Sequence, residues 1–279
     1  LDLNEMGHIW QNYYLKNIKD LTDAQARTMD DEEKVNINAA VRIYRVYLMS
    51  HLTDIYGDVP YFEAGKGFID GKFTPRYDTQ EEIYNDFFAE LDAAVTAFDG
   101  TKDRITGDVI YNGDINKWKK FANSLRLRLA VRICNADRSK ATEVIDELME
   151  NEQNLMTSNE DNCLLRWGDN ADTRNYFYDY LVINRESNLD KLHSAGESIL
   201  MYMAPYADPR LEKFFTPANA ASMPDNFHWA PYWGQPKVSN LPSGVSLSPN
   251  PHSGKTADDY SQLQDKFTEQ SYAEVIMNY

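Results

Sequence analysis

A chain of 279 residues can bury a large core, as one big domain or two. With 42% hydrophobic and 26% charged residues it has the composition of a globular protein. Its formal net charge of -16, with no basic stripe to offset it, argues against DNA or RNA as a partner.

Aromatic residues make up 13% of the chain, led by 18 tyrosines, which suits ligands that want flat rings to stack on and carboxylates or amides to bond. The two cysteines, Cys134 and Cys163, form no Cys-x-x-Cys pair, so neither a cysteine zinc site nor a dithiol redox motif is present. Two isolated buried thiols are expected, with a disulfide between them as the alternative. No apolar run approaches the length of a membrane-spanning helix, and no signal peptide or lipobox appears at Leu1. The missing initiator Met and the abrupt stop at 271–279, read as a helix cut partway, suggest a piece of a longer precursor.

Helix follows helix in the first half. A short one is expected over 6–18. A longer one is expected over 39–56, where Ala40, Ile43, Tyr44, Tyr47, Leu48, Leu52 and Ile55 share a face. Gly57 follows the last periodic residue and Pro60 comes three later, the usual helix stop. Thr79 and Glu82 make a capping box that opens a third helix. Its inward face carries Ile83, Phe87, Leu91, Ala94, Val95 and Phe98, and Gly100 ends it. Asn-Gly-Asp at 112–114 supplies a turn and a cap for a fourth helix over 115–134. There Trp118, Phe121, Ala122, Leu125, Leu129 and Ile133 point inward, which makes Trp118 core rather than platform. Arg126, Arg128 and Arg132 cannot all reach solvent from that helix, so at least one should bury its stem and pair with an acid. A fifth helix is expected over 140–150. The helices pair like those of a repeat protein, yet no 34-residue self-similarity supports a regular solenoid.

The character changes after about Asn151. Polar and aromatic residues interleave without a period to Asp190, and a short helix follows over 195–203. Residues 217–256 are rich in Pro, Ser, Asn and Gly, with Trp229, Tyr232 and Trp233 among them. So many large aromatics argue for an ordered loop that shapes a surface.

Seven blocks then stand in a fixed order. They are Asp-Ile-Tyr-Gly-Asp-Val-Pro-Tyr at 54–61, with Phe62 following, Pro-Arg-Tyr-Asp-Thr-Gln-Glu-Glu-Ile-Tyr at 75–84 and Gly-Asp-Val-Ile-Tyr-Asn-Gly-Asp at 107–114. Lys-Trp-Lys-Lys-Phe-Ala-Asn-Ser-Leu-Arg-Leu-Arg-Leu-Ala at 117–130 is the most specific. Asp-Pro-Arg-Leu at 208–211, Tyr-Trp-Gly-Gln-Pro at 232–236 and Ser-Tyr-Ala-Glu-Val at 271–275 complete the series. In this order the chain resembles the SusD/RagB family of nutrient-binding outer-membrane lipoproteins, over the first part of a full member.

The resemblance implies a mainly α fold, with tetratricopeptide-like helix pairs as scaffold and long irregular loops carrying the ligand site. It implies one domain over 1–279, lacking the rest of its closing helices. Within it, 1–151 would be scaffold, 152–260 the ligand-binding part and 261–279 the start of the closing helices. It further implies a protein held by an N-terminal lipid outside this sequence, on the external face of the outer membrane. Such a protein would bind oligosaccharide without cleaving it, use no cofactor, and pass the ligand to a SusC-like TonB-dependent transporter.

The residues themselves place the ligand bet in the loops. The stretch 165–180 alternates flat rings with planar hydrogen-bonding groups, as a sugar's C–H face and hydroxyls require. Its candidates are Trp167, Asp169, Asn170, Arg174, Asn175, Tyr176 and Tyr178, joined by Trp229 and Trp233 from the later loop. The bland reading is that these rings cover scaffold and the polar groups satisfy loop backbone. Asp54, Asp58 and Glu63 are explained by a helix exit, and no carboxylate pair stands out for glycoside hydrolysis. A helical glycosidase and a binder of peptides or another nutrient are the rival functions. His8, His51, His193, His228 and His252 are scattered without metal-ligand spacing, and no nucleophile-elbow or phosphate-loop motif is present. Oxygen ligands at 169–172 fit no Ca²⁺ loop pattern.

Overall fold

The structure is a computed structural model that describes residues 3–170, 172–175, 178, 194–225, 231–235, 259–269 and 273–278. It divides into two compact units, Leu1–Leu165 with Val275–Tyr279, and Arg166–Glu274.

The first unit is a stack of helices. α1 (Leu3–Asn12) runs through a π-helical stretch, Tyr13–Ile18, into α2 (Lys19–Thr28). α3 (Val35–Tyr56) is the longest, followed by the single turn α4 (Gly67–Asp70). α5 (Gln80–Ala97), α6 (Ile115–Ile133) and α7 (Arg138–Met149) complete the stack. α3 packs on α2 and α5, α5 on α6, and α6 on α7, so sequence neighbours are neighbours in space, as in helical-repeat proteins. The core is built largely from the stripes the periodicity predicts. Ile43 and Leu52 of α3 meet Ile83, Phe87 and Leu91 of α5, and Phe121, Leu125 and Leu129 of α6, in one buried cluster. Met49, which lies outside the expected stripe, joins them, whereas Ile55, expected to share that face, is 49% exposed.

The predicted caps are in place. The Thr79 hydroxyl accepts from the Glu82 N–H, and the Glu82 carboxylate accepts from the Thr79 N–H at 3.0 Å. Asp114 accepts from the Asn116 and Lys117 N–H groups to start α6. Of the three arginines on α6, Arg126 is buried and reaches Asp92 at 3.2 Å and Glu147 at 3.1 Å, Arg132 pairs with Asp54, and Arg128 is exposed. Trp118 is buried and its indole N–H donates to Asp108 at 2.8 Å. Both cysteines are free; burial pushes the Cys163 thiol up to about 12, while Cys134 is half-buried.

Two elements differ from the sequence expectation. Helix continues from 18 to Thr28, past the expected end, because this stretch is held by polar groups that carry no apolar period. Thr22 donates to the Ala64 carbonyl at 3.2 Å, and the Asn38 amide donates to the Gln25 carbonyl and the Thr28 hydroxyl. The residues expected to begin a helix at the end of the chain instead form β2 (Ala273–Met277), which pairs with β1 (Cys163–Arg166) in a two-stranded sheet. In the sheet, the neighbouring strand supplies hydrogen-bond partners to these residues.

The block at 54–62 is a locked corner. Gly57 takes φ 76° and ψ -122°, which a side chain would oppose. The fully buried Asp78 carboxylate accepts from the Tyr61 and Phe62 N–H groups at 2.9 Å each and lies 2.8 Å from Arg76 Nε. Val59 and Asp78 form an antiparallel bridge, and Asp58 accepts from the Gln80 N–H.

His51, on α3, lies edge-on to the Tyr47 ring with its Nδ1 3.4 Å from the Tyr13 hydroxyl. Burial first, then the charge of Arg128 and more weakly Arg132, hold its pKa below the ordinary value, against an opposing pull from Asp54. The unfolded chain protonates this imidazole near the usual pKa of about 6.5 while the folded state resists, so this contribution to stability is full above that value and is lost as pH falls from there through the lower folded pKa. The thermal midpoint should therefore fall between about pH 7 and pH 5, and His51→Gln should flatten that slope. Equal slopes in the two proteins would show that His51 is not the group responsible.

The second unit has little regular structure among its described residues. α8 (Glu197–Met203) runs into a 3-10 turn, Ala204–Tyr206, and α9 (Leu211–Phe214) follows. Leu200 and Met203 of α8 pack with Ala195, Leu211 and Phe215. Single-residue bridges tie the chain together, at Ser194 with Gln262, Gly196 with Gln235, and Phe215 with Leu263. Gly234 lies so close to the Glu197 backbone that a Cβ would overlap it, which accounts for glycine in the Tyr-Trp-Gly-Gln-Pro block. Asp208 is held down to about 2 by the Arg210 guanidinium and N–H, which close the Asp-Pro-Arg-Leu turn.

Candidate functional site

The predicted site residues divide into three groups. Trp167, Asp169, Asn170 and Arg174 share one loop at the surface of the second unit, with Tyr178 beside it. A backbone bond from the Gly168 N–H to the Thr173 carbonyl, at 2.7 Å, pinches that loop. Asn170 turns it: its side-chain oxygen accepts from the Asp172 and Thr173 N–H groups, and its carbonyl accepts from the Arg174 N–H at 2.9 Å. For Asn170 the loop-satisfying role therefore holds. Asp169 stands in solvent.

The Arg174 guanidinium lies over the Tyr178 ring, 5.5 Å from its centroid, and both side chains are half-buried. Trp167 is half-buried too, and its indole N–H is shielded without a hydrogen-bond partner among the described residues. A flat indole, a guanidinium-backed phenol ring and a free carboxylate can offer a ligand stacking faces, a cationic donor and an acceptor in and beside one short loop.

Two candidates are corrected. Trp233 is 1% exposed and packs on Tyr260, centroids 4.8 Å apart, and on Ala218. Its N–H donates to the Ser261 hydroxyl and its carbonyl accepts from the Ser261 N–H. A ring with no exposed face cannot stack on a sugar, so Trp233 is a core residue. Asn175 is likewise buried, and its amide donates to the Glu269 carbonyl at 3.4 Å, tying the loop to a distant segment. Tyr176 and Trp229 lie outside the described residues.

Two rings that the sequence did not single out are the most open among the described residues of this unit. Tyr202 is 75% and Tyr206 83% exposed, while Leu200 and Met203 turn inward. The inward pair, three residues apart on α8, is the signal that could have found them, since it leaves position 202 on the outer face. Among the described residues no three His, Cys, Asp or Glu side chains come together as metal ligands, and no helix is long and apolar enough to cross a membrane.

The comparisons with known proteins agree with this architecture. The SusD-like family model, described as starch-binding and associating with the outer membrane, matches residues 2–279. A comparison with curated proteins gives no match. Among solved structures, a chitin-binding protein is 31% identical with a TM-score of 0.76 over 98% of this chain and 55% of its own. A Bacteroidetes SusD-like protein is 27% identical with a TM-score of 0.76, over 100% of this chain and 61% of its own. A SusD homologue from Bacteroides uniformis is 31% identical with a TM-score of 0.69, over 94% of this chain and 49% of its own. The chain thus spans half to three-fifths of the length of these relatives. Matched from residue 2 to residue 279 and sharing the helical fold, the chain belongs to the SusD-like family.

Proposed function

We propose that this protein captures an oligosaccharide at the external face of the outer membrane, without cleaving it, and hands it to a SusC-like TonB-dependent transporter. An N-terminal lipid would hold it there. The observation that carries the ligand reading is the loop bearing Trp167, Asp169 and Arg174, with Tyr178 beside it, where flat rings stand beside charged and planar groups at the surface. Tyr202 and Tyr206 add open rings in the same unit. Affinity would come from C–H faces stacking on these rings, and selectivity from the polar groups beside them. The relative named as a chitin-binding protein makes chito-oligosaccharides the first ligands to try, beside α-glucans suggested by the family description.

The test is calorimetry against a glycan panel with wild type and Trp167→Ala. The substitution should weaken the best ligand about tenfold or more, equivalent to about 1.4 kcal/mol, with an unchanged melting temperature. Unaltered affinity in Trp167→Ala would remove this loop from the site. Release of reducing ends during the incubation would replace a binder with a glycosidase, and binding of peptides in place of glycans would keep the family and change the cargo. Co-purification with the transporter tests the partner.

A further inference from the structure

A pocket of about 330 Å³ lies in the first unit, walled by α2, α3, α5 and the segment through α4. All of its residues belong to that unit, and none is among the candidates for glycan binding. Its volume is at the lower end of the range for small-molecule sites, about 300–1,000 Å³, so it suits a ligand the size of one amino acid or one sugar.

Arg45 decides between them. This side chain is 8% exposed, lies over the Tyr61 ring at 4.7 Å and donates from Nη2 to the Tyr61 carbonyl at 2.8 Å. Its Nε is buried without a partner, and among the described residues no carboxylate stands within ion-pair distance of the guanidinium. Asp86 acts on this cation only at longer range, and a ligand carboxylate at the pocket side of the guanidinium would supply the contact ion pair it lacks, with the strongest available geometry. A neutral sugar would add no ion pair there.

The same pocket holds an acidic side. Glu90 is engaged by Arg42, whose Nε and Nη2 donate to its two oxygens at 2.8 and 3.0 Å. Asp86 accepts from the Tyr61 hydroxyl at 2.6 Å, and burial first, then the Glu90 charge, push its carboxyl above the ordinary range, against that hydrogen bond and the arginines. A ligand cation near Asp86 would relieve that strain. The third component is apolar. Met29 and Ile69 also line the pocket, and they are 66% and 44% exposed.

We infer that this pocket is a binding site for a free α-amino acid with an apolar side chain. The α-carboxylate pairs with Arg45, the α-ammonium lies toward Asp86, and the side chain rests against Met29 and Ile69. A zwitterion carries no net charge, so the -16 of the whole chain does not oppose its approach.

The probe is L-leucine, titrated into the intact protein and followed by amide-resolved NMR and calorimetry. Saturable binding should shift amides in and around the lining residues Thr22, Ala26, Phe62, Lys66 and Asp70. L-leucinamide, which lacks the carboxylate, and N-acetyl-L-leucine, which lacks the ammonium, should each bind at least about tenfold more weakly. Arg45→Gln should lose about tenfold or more. Ile69→Ser, at the exposed rim, should weaken leucine with the melting temperature unchanged, and it carries the test if Arg45→Gln does not fold. The inference is overturned by absence of saturable leucine binding, by leucinamide binding as well as leucine, or by D-glucose producing the same shifts at the same concentrations. The glycan panel on Trp167→Ala reads a different unit, so either proposal can fail alone.

Discussion

Asp78→Ala should cost the first unit about 3–5 kcal/mol of unfolding free energy, among the largest effects of any single polar substitution in the scaffold. The carboxylate has no exposed surface, and its Oδ2 accepts from two adjacent backbone N–H groups, Tyr61 and Phe62. Truncation leaves both donors buried with nothing to bond, at about 1–3 kcal/mol each, and frees Arg76 from its partner. Arg76 is itself largely exposed, so loss of the ion pair is the smaller part. Asp78→Asn keeps an acceptor oxygen in place and should recover part of the loss. Urea unfolding of the three proteins makes the comparison. A loss below about 1 kcal/mol in Asp78→Ala would mean that water or a backbone shift satisfies the freed N–H groups, and that the corner at 54–62 is not held as described.

Trp233→Ala should destabilise the second unit by about 3–5 kcal/mol, as expected for removing a fully buried indole. The ring fills the space between Ala218 and Tyr260, and its backbone is bonded on both sides of Ser261. Trp167→Ala provides the contrast, because a half-buried loop ring leaves no comparable cavity. Thermal unfolding and glycan binding measured together separate the roles. Trp233→Ala should lower the melting temperature, while Trp167→Ala should leave it and lower affinity. A Trp233→Ala protein that melts like wild type but loses glycan would return that ring to the ligand site.

The two tryptophans show how far the sequence could be read in the loops. Each lies in a stretch without apolar period, and each is followed by a glycine. Trp233 is buried because two segments close over it from afar, at 194–196 and 260–262, with the Gln235 N–H donating to the Ala195 carbonyl at 2.8 Å. Nothing local distinguishes it from a ring left at the surface. Asn175 repeats the lesson, since its partner carbonyl, at Glu269, is 94 residues away.

The helices are another matter. The stripes of α3, α5 and α6, the Thr79–Glu82 capping box, the Asp114 cap and the buried arginine of α6 were all legible, because each depends on residues within a few positions of one another. So was the family, since seven blocks in order are a property of the chain itself. What only the tertiary structure decided is where distant groups meet. Asp103 caps the start of α3 from 67 residues downstream, accepting from the Asn36 N–H at 2.8 Å, where the adjacent sequence offers no cap. Residues 273–277 became a strand because 163–166 stood ready to pair with them. Arg45 reads from the sequence as one more charged position on an amphipathic helix, and the fold places it at a pocket where, among the described residues, no carboxylate stands within ion-pair distance of it. Local hydrogen bonding and periodicity are written in neighbouring residues, whereas burial and ion pairing depend on which remote segment arrives, and that is settled only when the chain has packed.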